Sequence, residues 1–183
     1  MPAMADQPIV EDDILRKQVE EKKRSLQQHL GERRPGEVMS EMAPTLKRMI
    51  AEVEPRLLTI PERKGKWSIL EVVHHLADAE MVYGVRVRMM LAEDRPQLHA
   101  WDQTKWAAHL GYAEGKIEHA LEQFRVLRSA NLRLFQSLSS EQFSRVGIHP
   151  ERGAESVYVA VLSMAVHDEI HLRQIRRIRE GLR

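Results

Sequence analysis

The chain has 183 residues, no cysteine, and 28 basic against 27 acidic side chains, leaving a formal charge of +1. That length supports one well-buried core and is short for two. The charge balance excludes a global field favouring nucleic acid or an anionic membrane, and the missing cysteines exclude disulfides, thiolate nucleophiles and Cys-type zinc sites.

In chain order, Met1 to Gln7 lacks a basic start followed by an apolar run, and no stretch approaches about 18 consecutive apolar residues, so a cytoplasmic protein without a membrane segment is expected. Residues 11 to 30 are charge-rich with a sparse apolar stripe of Ile14, Leu15, Val19, Leu26 and Leu30, which predicts an amphipathic helix ended near Gly31. Residues 1–35 therefore read as a charged helical extension and 36–183 as the main domain. After Pro35-Gly36, Val38, Met42, Leu46, Met49, Val53 and Leu57 recur at steps of three and four, the spacing of a core helix. Pro44 suggests a later regular start and Pro55 an approaching end.

Ser68 followed by Glu71 is a capping box, with Trp67 and Val72 placed for a hydrophobic staple, so a second core helix begins near Ser68 and stops before Pro96. Residues 93 to 113 read as an irregular connection containing Trp101 and Trp106. A third helix is predicted from Glu114 to Leu138, then a turn-rich connector over Gly147 to Gly153, then a last helix opened by Glu155 or Ser156 and running to Glu180. Four long helices follow the extension, and no alternating run of useful length competes with them.

The chemistry gathers on the last helix. His167 and His171 are four residues apart, one helical turn, so both imidazoles share a face. At about 100 degrees per residue they fall in one stripe with Ala160, Met164, Gln174 and Ile178. On the second core helix, His75 lies at the flank of the apolar stripe and His74 nearly opposite it, making His75 the better third ligand. Three histidines and an open position make a catalytic-type metal site. Asp168, not Glu, follows the first His of the pair, so this is not the zinc-protease helix. Two other readings stand beside it: histidines satisfied by hydrogen bonds within a core, and a di-iron carboxylate bundle built on Glu71-x-x-His74 and Asp168-x-x-His171.

The segment Gly65 to Glu80 with its His74-His75-Leu76-Ala77-Asp78, then Arg86 and Arg88, Trp101-Asp102-Gln103, His149 to Gly153, and His167 to Ile175 together resemble DinB-like (YfiT-type) proteins over roughly residues 38 to 180. The resemblance implies an all-α, up-and-down four-helix bundle, often a homodimer, with one divalent metal on His75, His167 and His171. Zinc or nickel is expected first, with iron or manganese as alternatives. It further implies a metal-dependent hydrolase or a low-molecular-weight thiol S-transferase acting on a small molecule. Asp78, one turn beyond His75, and Asp168 are the candidate catalytic carboxylates. The alternative class is a non-catalytic metal-binding bundle serving as a structural or interaction module.

Overall fold

The computed structural model describes residues 7–182. Met1 to Asp6, on which most of the leader argument rests, and Arg183 lie outside the described residues. Seven α-helices and one short hairpin follow in order: α1 (Gln7–Leu30), α2 (Pro35–Ala51), α3 (Ile69–Ala92), α4 (Gln103–His109), α5 (Ile117–Gln136), α6 (Ser140–Ser144), β1 (Val146–His149), β2 (Gly153–Ser156) and α7 (Val157–Gly181).

Local chemistry accounts for the boundaries. Pro35 opens α2 at a position where its missing N–H costs nothing. Contrary to the expectation raised by Pro44, α2 runs unbroken through it, because Val38, Met39, Met42, Leu46, Met49 and Ile50 bury one face and outweigh one lost ladder bond. Ser68 accepts from the N–H of Glu71 at 3.3 Å, while the Glu71 carboxylate accepts from the N–H of Ser68 at 2.8 Å, completing the capping box of α3. Ser156 caps α7 by accepting from the N–H of Val159, without a reciprocal bond.

The connections hold three elements that periodicity missed, α4, the five-residue α6 and the hairpin. Residues 93 to 113 are not wholly irregular: Asp102 accepts from the N–H groups of Thr104 and Lys105 and starts the seven-residue α4. The turn-rich connector is a β-hairpin, antiparallel with Val146 opposite Ser156 and His149 opposite Gly153. Strands of four residues are too short to show alternation above chance, and Gly153, at φ +70, makes the turn.

The four-helix bundle consists of α2, α3, α5 and α7, with α3 packed on α5 and α7, and α2 packed on those same two. Consecutive helices α2 and α3 therefore sit across a diagonal, as do α5 and α7. Asp78 meets Gln123 and Gly84 abuts Asn131, so α3 and α5 run parallel. His75 faces His171 while Tyr83 faces His167, so α3 and α7 run antiparallel. Arg33 and Glu52 pair with Glu169 and Arg179, so α2 and α7 run parallel. The order is thus up, down, down, up, a variation on simple alternation that the long α3–α5 connection permits.

Two apolar cores lie along this bundle. One gathers Val38, Met39, Val87, Met90, Phe135 and the first half of α7. The other gathers Met42 to Ile50, Ile69 to Ala77, Ala120, Phe124, Ile175 and Ile178. Between them every core helix except α2 turns polar side chains inward: His75, Asp78 and Glu80 on α3, Arg128 and Asn131 on α5, Asp168 and His171 on α7. α1 packs on α7 and β2, with Leu30 buried in the first core and Gln18 accepting from the N–H of Ala154.

Candidate metal centre

The polar layer contains three imidazoles whose Nε2 atoms converge. His75 Nε2 lies 3.0 Å from His167 Nε2, which lies 3.1 Å from His171 Nε2. The antiparallel crossing of α3 and α7 produces this, since one turn of α7 presents two rings to one position of α3. These three are the group of possible ligands found among the described residues.

The donor set fits a divalent metal. His171 Nδ1 lies 2.8 Å from Gln174 Oε1, an acceptor, so Nδ1 carries the proton and Nε2 keeps its lone pair for a ligand. Burial lowers all three pKa values, that of His75 to about 3, so the rings are neutral at pH 7. Three neutral rings whose Nε2 atoms converge at about 3 Å in a buried site, with His171 Nε2 held as an acceptor, present the imidazole donor set that a divalent cation takes.

Aromatic rings hold His75. Trp101 stacks on it at 5.4 Å between centroids and 7° between planes, while Trp67 tilts against it at 4.8 Å. Its Nδ1 is buried without a hydrogen-bond partner among the described residues, so packing orients this ring where a hydrogen bond orients His171. Trp106 meets Trp101 edge-on at 4.9 Å and extends the aromatic wall.

The other expected site residues lie beside this cluster and outside it. Asp78 accepts from the Tyr112 hydroxyl and from Gln123 Nε2, and so ties α3 to the α4–α5 connection and to α5. Asp168 accepts from Arg128 at 2.7 and 2.9 Å, and Arg128 donates also to Glu80 and to the Met39 carbonyl. Both oxygens of each carboxylate are engaged, which favours positioning over proton transfer. Asp102 caps α4, and Trp101, its neighbour, makes the contact with the site. His149 accepts the N–H groups of Glu151 and Arg152 on its Nδ1 and so closes the hairpin turn. Glu71 is spent on the capping box and takes no part in the cluster, which removes the di-iron arrangement. The sequence placed Gln174 in the histidine stripe and Trp101 in the connection but gave neither a role at the site; the i, i+3 spacing of His171 and Gln174 was the signal for the first.

Fold and site together define a class: an all-α four-helix bundle carrying a three-histidine cluster between two antiparallel helices. The chain belongs to the DinB superfamily, whose family profile matches residues 39–175. A protein of Geobacillus thermodenitrificans named "Putative metal-dependent hydrolase" is 30% identical over 142 residues, covering 76% of this chain and 79% of its own. One of the same name from Bacillus cereus is 28% identical over 137 residues, 75% of this chain and 79% of its own. Among solved structures, YfiT from Bacillus subtilis superposes with a TM-score of 0.73 at 26% identity, covering 80% of this chain and 83% of that one. It is described as "a probable metal-dependent hydrolase with an unusual four-helix bundle topology". The match starts after α1, and no described helix is long and apolar enough to cross a membrane.

Proposed function

We propose that this protein is a metal-dependent hydrolase of a small molecule, with His75, His167 and His171 as the ligands of one divalent ion, zinc or nickel. The observation that carries the reading is the convergence of three neutral Nε2 atoms at 3.0 and 3.1 Å in a buried polar layer. When bound, such an ion supplies Lewis acidity, polarising a carbonyl or phosphoryl oxygen and acidifying a water.

The chain's own residues do the rest. Gln174 fixes the His171 tautomer. Trp67 and Trp101 lock the His75 ring and exclude water from its faces. Arg128 holds Asp168 beside His167, so the backbone that carries the ligand is anchored to α5 and α3 at once. Asp78, fixed by Tyr112 and Gln123, positions the α3 turn that carries His75.

The test combines elemental analysis of protein purified without a metal-affinity tag with a panel of activated ester, amide and phosphoester substrates. Metal near one equivalent and turnover absent from the His75→Ala protein are expected. Turnover persisting in that variant overturns the reading. Physiological thiols with model electrophiles run in the same panel, so thiol transfer without hydrolysis would replace hydrolysis as the reaction; metal binding without either leaves the binding-module class.

A further inference from the structure

α1 lies outside the matched family segment, which begins at residue 39, and the proposed metal centre gives it no part. Its apolar stripe faces the body, yet among its described side chains, Asp12 to Leu30, Leu30 alone is buried. Space beneath the helix accounts for that. Leu15 and Val19 line a cavity of about 530 Å³ with Phe143 and Val146, and Leu26 lines one of about 440 Å³ with Tyr83 and Val159. Apolar groups that border a void forfeit the dispersion contacts of a packed face.

Polar ties do much of the holding. Gln18 accepts from the N–H of Ala154 at 3.0 Å, and Lys22 donates to the Ala154 carbonyl at 2.8 Å and to the Arg152 carbonyl. Asp12 meets Arg95 at 2.6 Å, with the two side chains 41% and 48% exposed. Water replaces such bonds when they break, so each adds little net hold. Few buried apolar contacts and solvent-reachable ties mark the part of a fold that opens locally before the whole unfolds.

The smaller of these cavities adjoins the histidine cluster. Tyr83 lines it, and the same ring lies 6.5 Å from the His167 ring. Ser163 lines it too, one turn before His167 and so on the same face of α7. Of the three imidazoles, His167 is the partly exposed one, while His75 is 0% and His171 9% exposed. Trp67 and Trp101 cover the cluster from the His75 side. Arg33, just past the end of α1, pairs with Glu169, so the chain that lines the cavity at Lys22 and Leu26 has passed the level of His167 by Arg33.

We propose that α1 is a displaceable cover over the approach to the histidine cluster: residues 12–26 lift from the hairpin and α7 while Leu30 stays seated and the four-helix bundle stays folded. Lifting removes the wall formed by Lys22, Ser25 and Leu26, and bares Tyr83 and the edge of His167 beside it. A small solute then has a route to the cluster that the docked helix narrows. What a solute does on arrival, as metal ion or as substrate, rests on the hydrolase reading; the lifting does not.

The experiment is peptide-mapped hydrogen exchange on the full-length protein as purified. Beside it, after dialysis against a chelator, diethyl pyrocarbonate acylates whichever imidazole and phenol groups are accessible. Amides of residues 16–26 should exchange at least about a hundredfold faster than those in the buried stretches of α3 and α7. Lys22→Ala should speed the α1 amides by about fivefold or more and leave α3 and α7 within about twofold. In the same variant, acylation of Tyr83 and His167 should rise by a similar factor, with exposed His109 and buried Tyr112 as unchanged references. Gln18→Ala, which removes a different tie, should repeat the pattern and stands in if Lys22→Ala does not fold. α1 amides as slow as those of α3 and α7, or all helices accelerating together in the variants, would overturn the proposal. So would unchanged acylation of Tyr83 and His167 while α1 accelerates. A protein that takes up no metal yet shows the expected pattern fails the hydrolase reading and keeps this one; uptake of metal with α1 as slow as the bundle does the reverse.

Discussion

His75 turns its Nε2 toward two histidines of α7, while His74, about 100 degrees round the same helix, stacks on Tyr112 at 5.5 Å. Metal content after His75→Ala should fall from near one equivalent to below a tenth, and after His74→Ala should stay near one, as elemental analysis would show. Equal losses would refute the ligand assignment. His74 has its own structural demand: a Cβ on Gly115 would lie 2.1 Å from its Nε2, so the two fit only because Gly115 has no side chain. Gly115→Ala is expected to lower stability by about 1–3 kcal/mol through overpacking, measured by urea unfolding, with metal content retained. The choice of His75 over His74 was legible in the sequence because it depends on angles within one helix. Gln174 sat in the predicted stripe, yet its role was hidden because it depends on a rotamer, and Trp101 was hidden because its place depends on how a connection folds back across α3.

At the scale of the element, α5 shows what periodicity reads and what it leaves open. Its buried positions are Ala120, Phe124, Arg128, Asn131 and Phe135, a helical stripe with two polar members. Helical period admits either Leu127 or Arg128 at the inward position, and the structure buries Arg128, whose partners Glu80 and Asp168 lie on the facing helices. Arg128→Met should cost about 3–5 kcal/mol, since it strands two buried carboxylates. Replacing all three with apolar residues of matched volume should recover much of that loss while leaving His167 without its anchored neighbour. The readouts are chemical denaturation for the first effect and metal affinity for the second; stability lost equally in both proteins would argue that the network contributes nothing by pairing. α4 and the hairpin were illegible for a different reason. Elements of seven and four residues carry too few positions for a period, and Asp102 as a cap is visible only once the turn it closes is known.

Across the whole molecule, the four long bundle helices and the shared face of the histidines follow from the sequence, whereas the up, down, down, up order does not, because stripes record which face is buried and not against which neighbour. The polar layer itself has a thermodynamic signature. Burial holds His75 at about 3 and lowers His167 and His171 as well, while in the unfolded chain each titrates near about 6.5. Below that value the unfolded chain binds protons that the folded metal-free protein refuses, so stability is full above about pH 6.5 and is lost as pH falls toward about 3. One such group contributes a slope of up to about 1.4 kcal/mol per pH unit. Other titrating groups are removed by comparison: urea unfolding of metal-free wild type and of His75→Phe, a ring that cannot titrate, is measured from pH 7 to pH 4. The stability difference between them should move steadily in favour of the variant as pH falls. A difference independent of pH would mean that His75 protonates as readily in the folded protein as in the unfolded chain, which its burial among Trp67, Trp101, His167 and His171 forbids.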